Sequence, residues 1–299
     1  MGDDGGLERA FLVSLIVLIV QLFGWYYSNS LALLGDSAHV FSDIIAIGSS
    51  LLAMRLALKL PSARRTFGFH RTEVFAAFFN GILLVVMSLV IAYEAFMRVG
   101  GGYSINGLPM LFTSLFGLAG NIYVVYHLQH EENLNVRSAF LHAAGDALSS
   151  IGVLVGAILI MITGQYLIDI AVSVIVSSLI LISAYTILRS SLSILLESAP
   201  YGASIDAIEK AVHILPEVKN VHDIHVWRTS SEFTFAMMHV EVEEMDLIKL
   251  RKIQMKIEEI LNQRFRIIHA TIQFEPVGCS CQSQKMCHIW EHKKIKHQH

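Results

Sequence analysis

Six stretches of about 20 or more mostly apolar residues dominate the chain and constrain its fold more than anything else in it. They cover 10–27, 31–58, 74–96, 108–127, 139–163 and 166–188. A helix rises 1.5 Å per residue, so each run suffices to cross a hydrocarbon layer of about 30 Å. In lipid the backbone N–H and C=O groups must find partners within their own segment, which selects helices. The expectation is an all-α six-helix bundle in the membrane. Composition agrees: 54% of the 299 residues are hydrophobic and 16% charged, where a soluble domain carries about 25% charged residues. The first run starts near Leu7 behind acidic residues and is too long for the core of a cleavable leader, so it reads as a true span.

Six spans place both termini on one side. That side holds Arg9, Arg55, Lys59, Arg64, Arg65, Arg71, Arg137 and Arg189, and the other holds Arg98. Cytoplasmic loops collect Lys and Arg, so both termini are expected in the cytoplasm. A net charge of −3, with no basic patch interleaved with aromatics, argues against a nucleic-acid partner.

Past residue 200 the pattern becomes that of a water-soluble domain. Residues 204–215 read as an amphipathic helix with Ser204 as N-cap, 221–227 and 233–242 as strands around a Ser230-Ser231-Glu232 turn, 247–265 as a longer helix and 270–274 as a third strand. That order suits a small α+β domain with helices on one face of a sheet. The expected division is 1–198 for the membrane part, 199–278 for the soluble domain and 279–299 for a Cys/His-rich tail. No internal repeat is evident. Cys279, Cys281 and Cys287 make an odd, clustered set, a poor disulfide framework with metal-ligand character.

The chemistry sits inside the second and fifth runs. The second contains His39 and Asp43, the fifth His142 and Asp146, each pair spaced four apart. On a helix such a pair shares a face, one turn apart. Two such helices facing each other offer two nitrogens and two oxygens, a closed tetrahedral set suited to Zn²⁺. A single intramembrane His is often a hydrogen-bonded packing residue. Ionisable groups cost about 3 kcal/mol each at membrane depth, so four of them in two copies of one spacing are an expensive coincidence. Asp36, three residues before His39, reads as a supporting or access residue. Small residues flank the motifs: Ala38, Ser42 and Ala46 in one run, Ala139, Ala143 and Ala147 in the other. They permit close helix approach. Asn80, Glu94, Asn121 and Asp169 read as packing or ion-pairing residues, with Asp169 near the water on the non-cytoplasmic side.

A closed four-ligand shell with no His-Glu-x-x-His motif and no evident general base speaks against hydrolysis, and no phosphate-binding loop is present. The expectation is therefore not an enzyme. A membrane metal sensor and a channel stay open as alternatives, although a four-ligand trap holds metal too tightly for fast conduction. Nitrogen and oxygen ligands suit zinc, and also cobalt, nickel and copper by general affinity order.

Over nearly its whole length the chain resembles the cation diffusion facilitator family, zinc-transporter type. The resemblance rests on Asp36-Ser-Ala-His39 through Asp43, on His142 through Asp146, on Phe67-Gly-Phe-His-Arg-Thr-Glu73, and on Val221-His-Asp-Ile-His-Val-Trp227. It implies a homodimer in a lipid bilayer, a cytoplasmic ferredoxin-like domain, and zinc efflux coupled to protons, with His39, Asp43, His142 and Asp146 as the transport site. By position it also implies a cytoplasmic zinc site of structural or regulatory kind, formed by His222, His239 and Glu275 with His225 and His269 as neighbours. Cys279, Cys281 and Cys287 form a further candidate in the tail. Two departures stand out. The loop between the fourth and fifth spans is short and holds only His127 and His130. Positions that carry His ligands between spans two and three in some bacterial relatives are here Arg65 and Phe69, with His70 a weak substitute. The missing His-rich loop points to a bacterial inner membrane.

Overall fold

The computed structural model describes residues 4–57, 62–128 and 134–278. The chain divides into two compact units, Met1–Ser191 and Leu192–His299.

Six long helices run through the first part of the described residues: α1 (Asp4–Ser28), α2 (Leu31–Ala57), α3 (Arg71–Arg98), α4 (Gly107–Leu128), α5 (Leu134–Thr163) and α6 (Leu167–Leu195). Five are long and apolar enough over their described residues to cross a membrane, namely 11–28 of α1, 31–49 of α2, 146–163 of α5, and all of α3 and α6. α4 contributes 22 residues, about 33 Å of helix. Besides an apolar core that includes Leu33, Leu84, Met110 and Ile180, these helices expose large apolar side chains and bury polar ones. Phe23, Phe79, Phe96, Ile162 and Ile182 point outward, while Gln21, Asp36, Asn80, Ser114, Ser150 and Asp169 are buried. Lipid solvates the apolar side chains, so the polar ones turn inward and find one another.

Their partners hold the bundle together. Asn80 Nδ2 on α3 donates to Ser42 Oγ on α2 at 2.8 Å, Ser88 Oγ donates to the Ser177 carbonyl of α6 at 2.7 Å, and Asn121 Nδ2 on α4 donates to Ser150 Oγ on α5 at 3.0 Å. Glu94 pairs with Arg98 one turn along α3 at 3.3 Å. Asp169 corrects the expectation of contact with water. It is fully buried, accepts from Ser30 Oγ at 2.5 Å, and takes the Leu31 and Ala32 backbone N–H groups at 2.8 and 3.4 Å. The first turn of α2 leaves N–H donors without intrahelical partners, and a carboxylate from α6 satisfies them.

The second unit contains α7 (Ile205–Val212), β1 (Val218–Arg228), β2 (Thr234–Val242), α8 (Leu247–Phe265) and β3 (Ile267–Pro276). The sheet order is β1-β2-β3. β2 is antiparallel to β1 and parallel to β3, which α8 permits as the crossover connection. Ile253, Ile257 and Leu261, spaced four apart on α8, share one core with Val221, Ile224, Met238 and Val240 of the sheet and Ile208 and Val212 of α7. This is the helix-strand-strand-helix-strand order read from the sequence, with both outer strands longer than expected. β1 carries a bulge between His222 and His225, where Asp223 adopts φ +50°. The bulge resets the alternation, so Val221 and His222 are both buried.

Candidate functional site

α2 carries Asp36, His39 and Asp43 at intervals of about one turn, and α5 carries His142 and Asp146 four residues apart. The helices bring the two motifs together: His39 Nε2 lies 2.6 Å from Asp146 Oδ1, with both side chains largely withdrawn from solvent. Asp43 is half-buried one turn beyond His39. His142 belongs to α5, but its side chain lies outside the described residues. The His39–Asp146 contact joins an imidazole nitrogen to a carboxylate oxygen, two groups whose chemistry suits zinc once the proton between them is displaced.

A second polar group lies one turn from this pair; sequence reasoning picked out its central member, Asp36, and read Asn121 as a packing residue, but missed Gln21 and Ser150. Gln21 Nε2 of α1 donates to Asp36 Oδ2 at 2.6 Å. Ser150 Oγ of α5 lies 3.3 and 3.2 Å from Asp36 Oδ1 and Oδ2 and receives the bond from Asn121 of α4. The available signal for Gln21 was a lone amide in an otherwise apolar run.

In the second unit the ladder assembles residues that are distant in sequence. His222 pairs directly with His239 across β1 and β2, and Glu241 stands beside Glu275 across β2 and β3. The outcome is a cluster of His222, His239 and Glu275 whose ligand atoms all lie within 4.8 Å of one another. His222 Nε2 is 3.3 Å from Glu275 Oε2, and His239 Nδ1 is 2.8 Å from Glu275 Oε1. Tetrahedral zinc with ligands at 2.0–2.1 Å separates them by about 3.4 Å, so small side-chain adjustments would seat an ion. Both ring nitrogens of His222 are buried without a hydrogen-bond partner, a costly condition that a metal would relieve at the one nitrogen it binds. Behind the imidazoles stand two carboxylates. Glu241 Oε1 is 3.7 Å from His222 Nδ1, and Asp223 Oδ2 is 3.8 Å from His239 Nε2. The donor set fits zinc.

His225 is a neighbour of this cluster, with Nε2 2.9 Å from Asp223 Oδ1. His269 is not brought to it. It packs edge-on against Phe235 with ring centroids 6.0 Å apart, six residues from Glu275 along β3, or about 20 Å of strand. Cys279, Cys281 and Cys287 lie outside the described residues. Between α2 and α3 the Arg65 guanidinium stacks on the Phe69 ring at 4.3 Å, a cation–π contact.

Comparison with known proteins gives matches over both units. Residues 7–196 match the cation efflux transmembrane domain, and residues 200–277 match the cytoplasmic domain of cation efflux proteins. Among curated relatives, a zinc transporter ZitB of Pectobacterium atrosepticum is 37% identical over 285 residues, covering 93% of this chain and 87% of that protein. The metal cation efflux system protein CzcD of Cupriavidus metallidurans is 34% identical over 281 residues, 92% of this chain and 89% of its own. A cadmium, cobalt and zinc/H(+)-K(+) antiporter of Bacillus subtilis is 32% identical over 306 residues, 99% of this chain and 98% of its own.

Proposed function

The chain belongs to the cation diffusion facilitator family, zinc-transporter type, and on that premise we propose that it exports Zn²⁺ in exchange for protons by alternating access, through His39, Asp43, His142 and Asp146. The observation that carries this reading is the 2.6 Å contact between His39 Nε2 and Asp146 Oδ1, which joins α2 and α5 inside a bundle of membrane-crossing helices.

The site opens toward the cytoplasm and takes zinc as neutral imidazoles and ionised carboxylates bind it, releasing their protons. The four ligands carry two negative charges that offset the dication, which removes most of the cost of holding it at membrane depth. Rocking of the bundle then exposes the site to the other face. Imidazole titrates in the physiological range, so protons arriving there compete for the same lone pairs and expel the metal. Antiport follows from that competition with no need for ATP. Both termini lie in the cytoplasm by the Lys and Arg bias. The chain works as a homodimer in the inner membrane of a bacterium, held together through the cytoplasmic units. In each of these, His222, His239 and Glu275 hold a structural or regulatory zinc ion, while Glu241 and Asp223 orient the two imidazoles.

The test is zinc uptake into proteoliposomes with and without a pH gradient. The wild type takes up zinc only when the gradient is imposed, and Asp43→Ala and His39→Ala do not. Equal uptake by all three proteins removes the paired motifs as the transport site. Gradient-independent flux in the wild type removes the exchange.

A further inference from the structure

α2 and α5 are tied twice among the described residues. One tie is the His39–Asp146 contact. The other, one turn away, is the bond from Ser150 Oγ to the Asp36 carboxylate. They differ in what happens when metal arrives. A metal that takes His39 and Asp146 displaces the proton between them and ends their direct bond. The Ser150–Asp36 bond uses no ligand atom, so it survives and then holds the two helices at their working separation.

Asp36 is itself fixed from a third side. Gln21 Nε2 of α1 donates to it at 2.6 Å, and Gln21, Asp36 and Ser150 are all fully buried. α4 makes room for that amide at Gly117. A Cβ at position 117 would lie 2.5 Å from Gln21 Nε2 and 3.8 Å from Asp36 Oδ2. The space a side chain would fill is thus the space the amide occupies.

We propose that Gln21, Asp36 and Ser150 form a brace that positions the transport ligands, setting the spacing of α2 and α5 at His39 and Asp146 and, through it, the size of divalent ion the site accepts. The proposal rests on the reading of His39 and Asp146 as ligands. Asp36 is a positioning residue. Its carboxylate accepts from α1 and α5 together, and neither donor is among the four proposed ligands.

Purified full-length protein in proteoliposomes, under a fixed pH gradient, is assayed for Zn²⁺ and Cd²⁺ uptake with Ser150→Ala, Gly117→Ala, Asp36→Asn, Asp36→Leu and His39→Ala. Ser150→Ala removes the α5 donor, and Gly117→Ala displaces the flexible end of Gln21 alone. Both raise the KM for zinc roughly 10-fold, the scale of lost ligand support in metal sites, keep the maximal rate, and narrow the preference for zinc over the larger cadmium ion. Asp36→Asn retains one oxygen able to accept from both donors and follows the wild type, while Asp36→Leu follows Ser150→Ala. The brace is overturned if Ser150→Ala and Gly117→Ala leave both KM values unchanged, if they lower only the maximal rate, or if Asp36→Asn is as defective as Asp36→Leu. A His39→Ala protein that transports zinc with the wild-type KM overturns the ligand reading itself, and the brace with it. Loss of transport in His39→Ala beside wild-type KM values in the brace variants overturns the brace alone.

Discussion

Asp36 and Asp169 are both carboxylates buried in apolar helices, and their partners assign them different roles. Asp36 faces side-chain donors one turn from His39. Asp169 faces the first turn of α2. Asp169→Ala strands the Ser30 hydroxyl and the Leu31 and Ala32 N–H groups in a dry interior. At about 1–3 kcal/mol per buried unsatisfied group, a loss of about 3 kcal/mol in stability is expected, visible as a lower thermal midpoint of the detergent-solubilised protein. Asp169→Asn keeps one acceptor oxygen and recovers part of it. An unchanged midpoint in Asp169→Ala would show that the cap contributes nothing. The paired motifs on α2 and α5 could be picked out in the sequence because their spacing is local, with i and i+4 sharing one face of any helix. The role of Asp169 was not legible, because its partners lie 137 to 139 residues away and only the folded bundle brings them together.

Helices with marked ends are read most faithfully from sequence, and α8 illustrates why. Asp246 Oδ1 accepts from the Lys249 N–H at 2.9 Å, and Arg266 closes the other end with φ +55°. The expected and observed bounds, Leu247–Phe265, coincide. β1 was read as 221–227 where the strand runs Val218–Arg228; the missed residues lie at its ends, and a register shift between Val218 and Asn220 breaks the alternation at the first of them. The cap on α8 also makes a pH prediction. The Lys249 backbone hydrogen bond, aided by the Lys249 ammonium, holds the Asp246 carboxyl below its usual range. A depressed folded-state value means the stabilisation is fully present above the ordinary Asp value of about 3.9 and is lost as pH falls through the lower folded value. Asp246→Ala therefore melts at a lower temperature than the wild type at neutral pH, and the two converge in acid below that range. A gap that stays constant across a pH series of thermal melts would mean that the carboxylate charge is not what caps the helix.

At the scale of the molecule, two units answer to two solvents. The first buries polar groups such as Gln21, Asp36 and Asp169 beside an apolar core of Leu33, Leu84, Met110 and Ile180 and exposes many other large apolar side chains, while the second buries Ile208, Ile224, Met238, Ile257 and Leu261 in an ordinary aqueous core. A metal ion therefore means something different in each. In the bundle it is cargo that must leave. Between β1, β2 and β3 it would join three strands of one sheet and stabilise the folded unit. A ligand that binds only the folded state adds RT ln(1 + [L]/Kd), about 2.7 kcal/mol at a free concentration 100 times Kd. Zinc should accordingly raise the unfolding midpoint of the cytoplasmic unit in the full-length protein, and chelation should lower it. Variants separate the two sites. The zinc-dependent rise persists in His39→Ala, which alters only the bundle, and disappears in His222→Ala and Glu275→Ala, which remove members of the cluster whose ligand atoms lie within 4.8 Å. A rise that survives in both cluster variants would place the stabilising ion elsewhere. A rise lost in His39→Ala would assign the effect to the transport site and leave the sheet cluster as hydrogen-bonding polar residues.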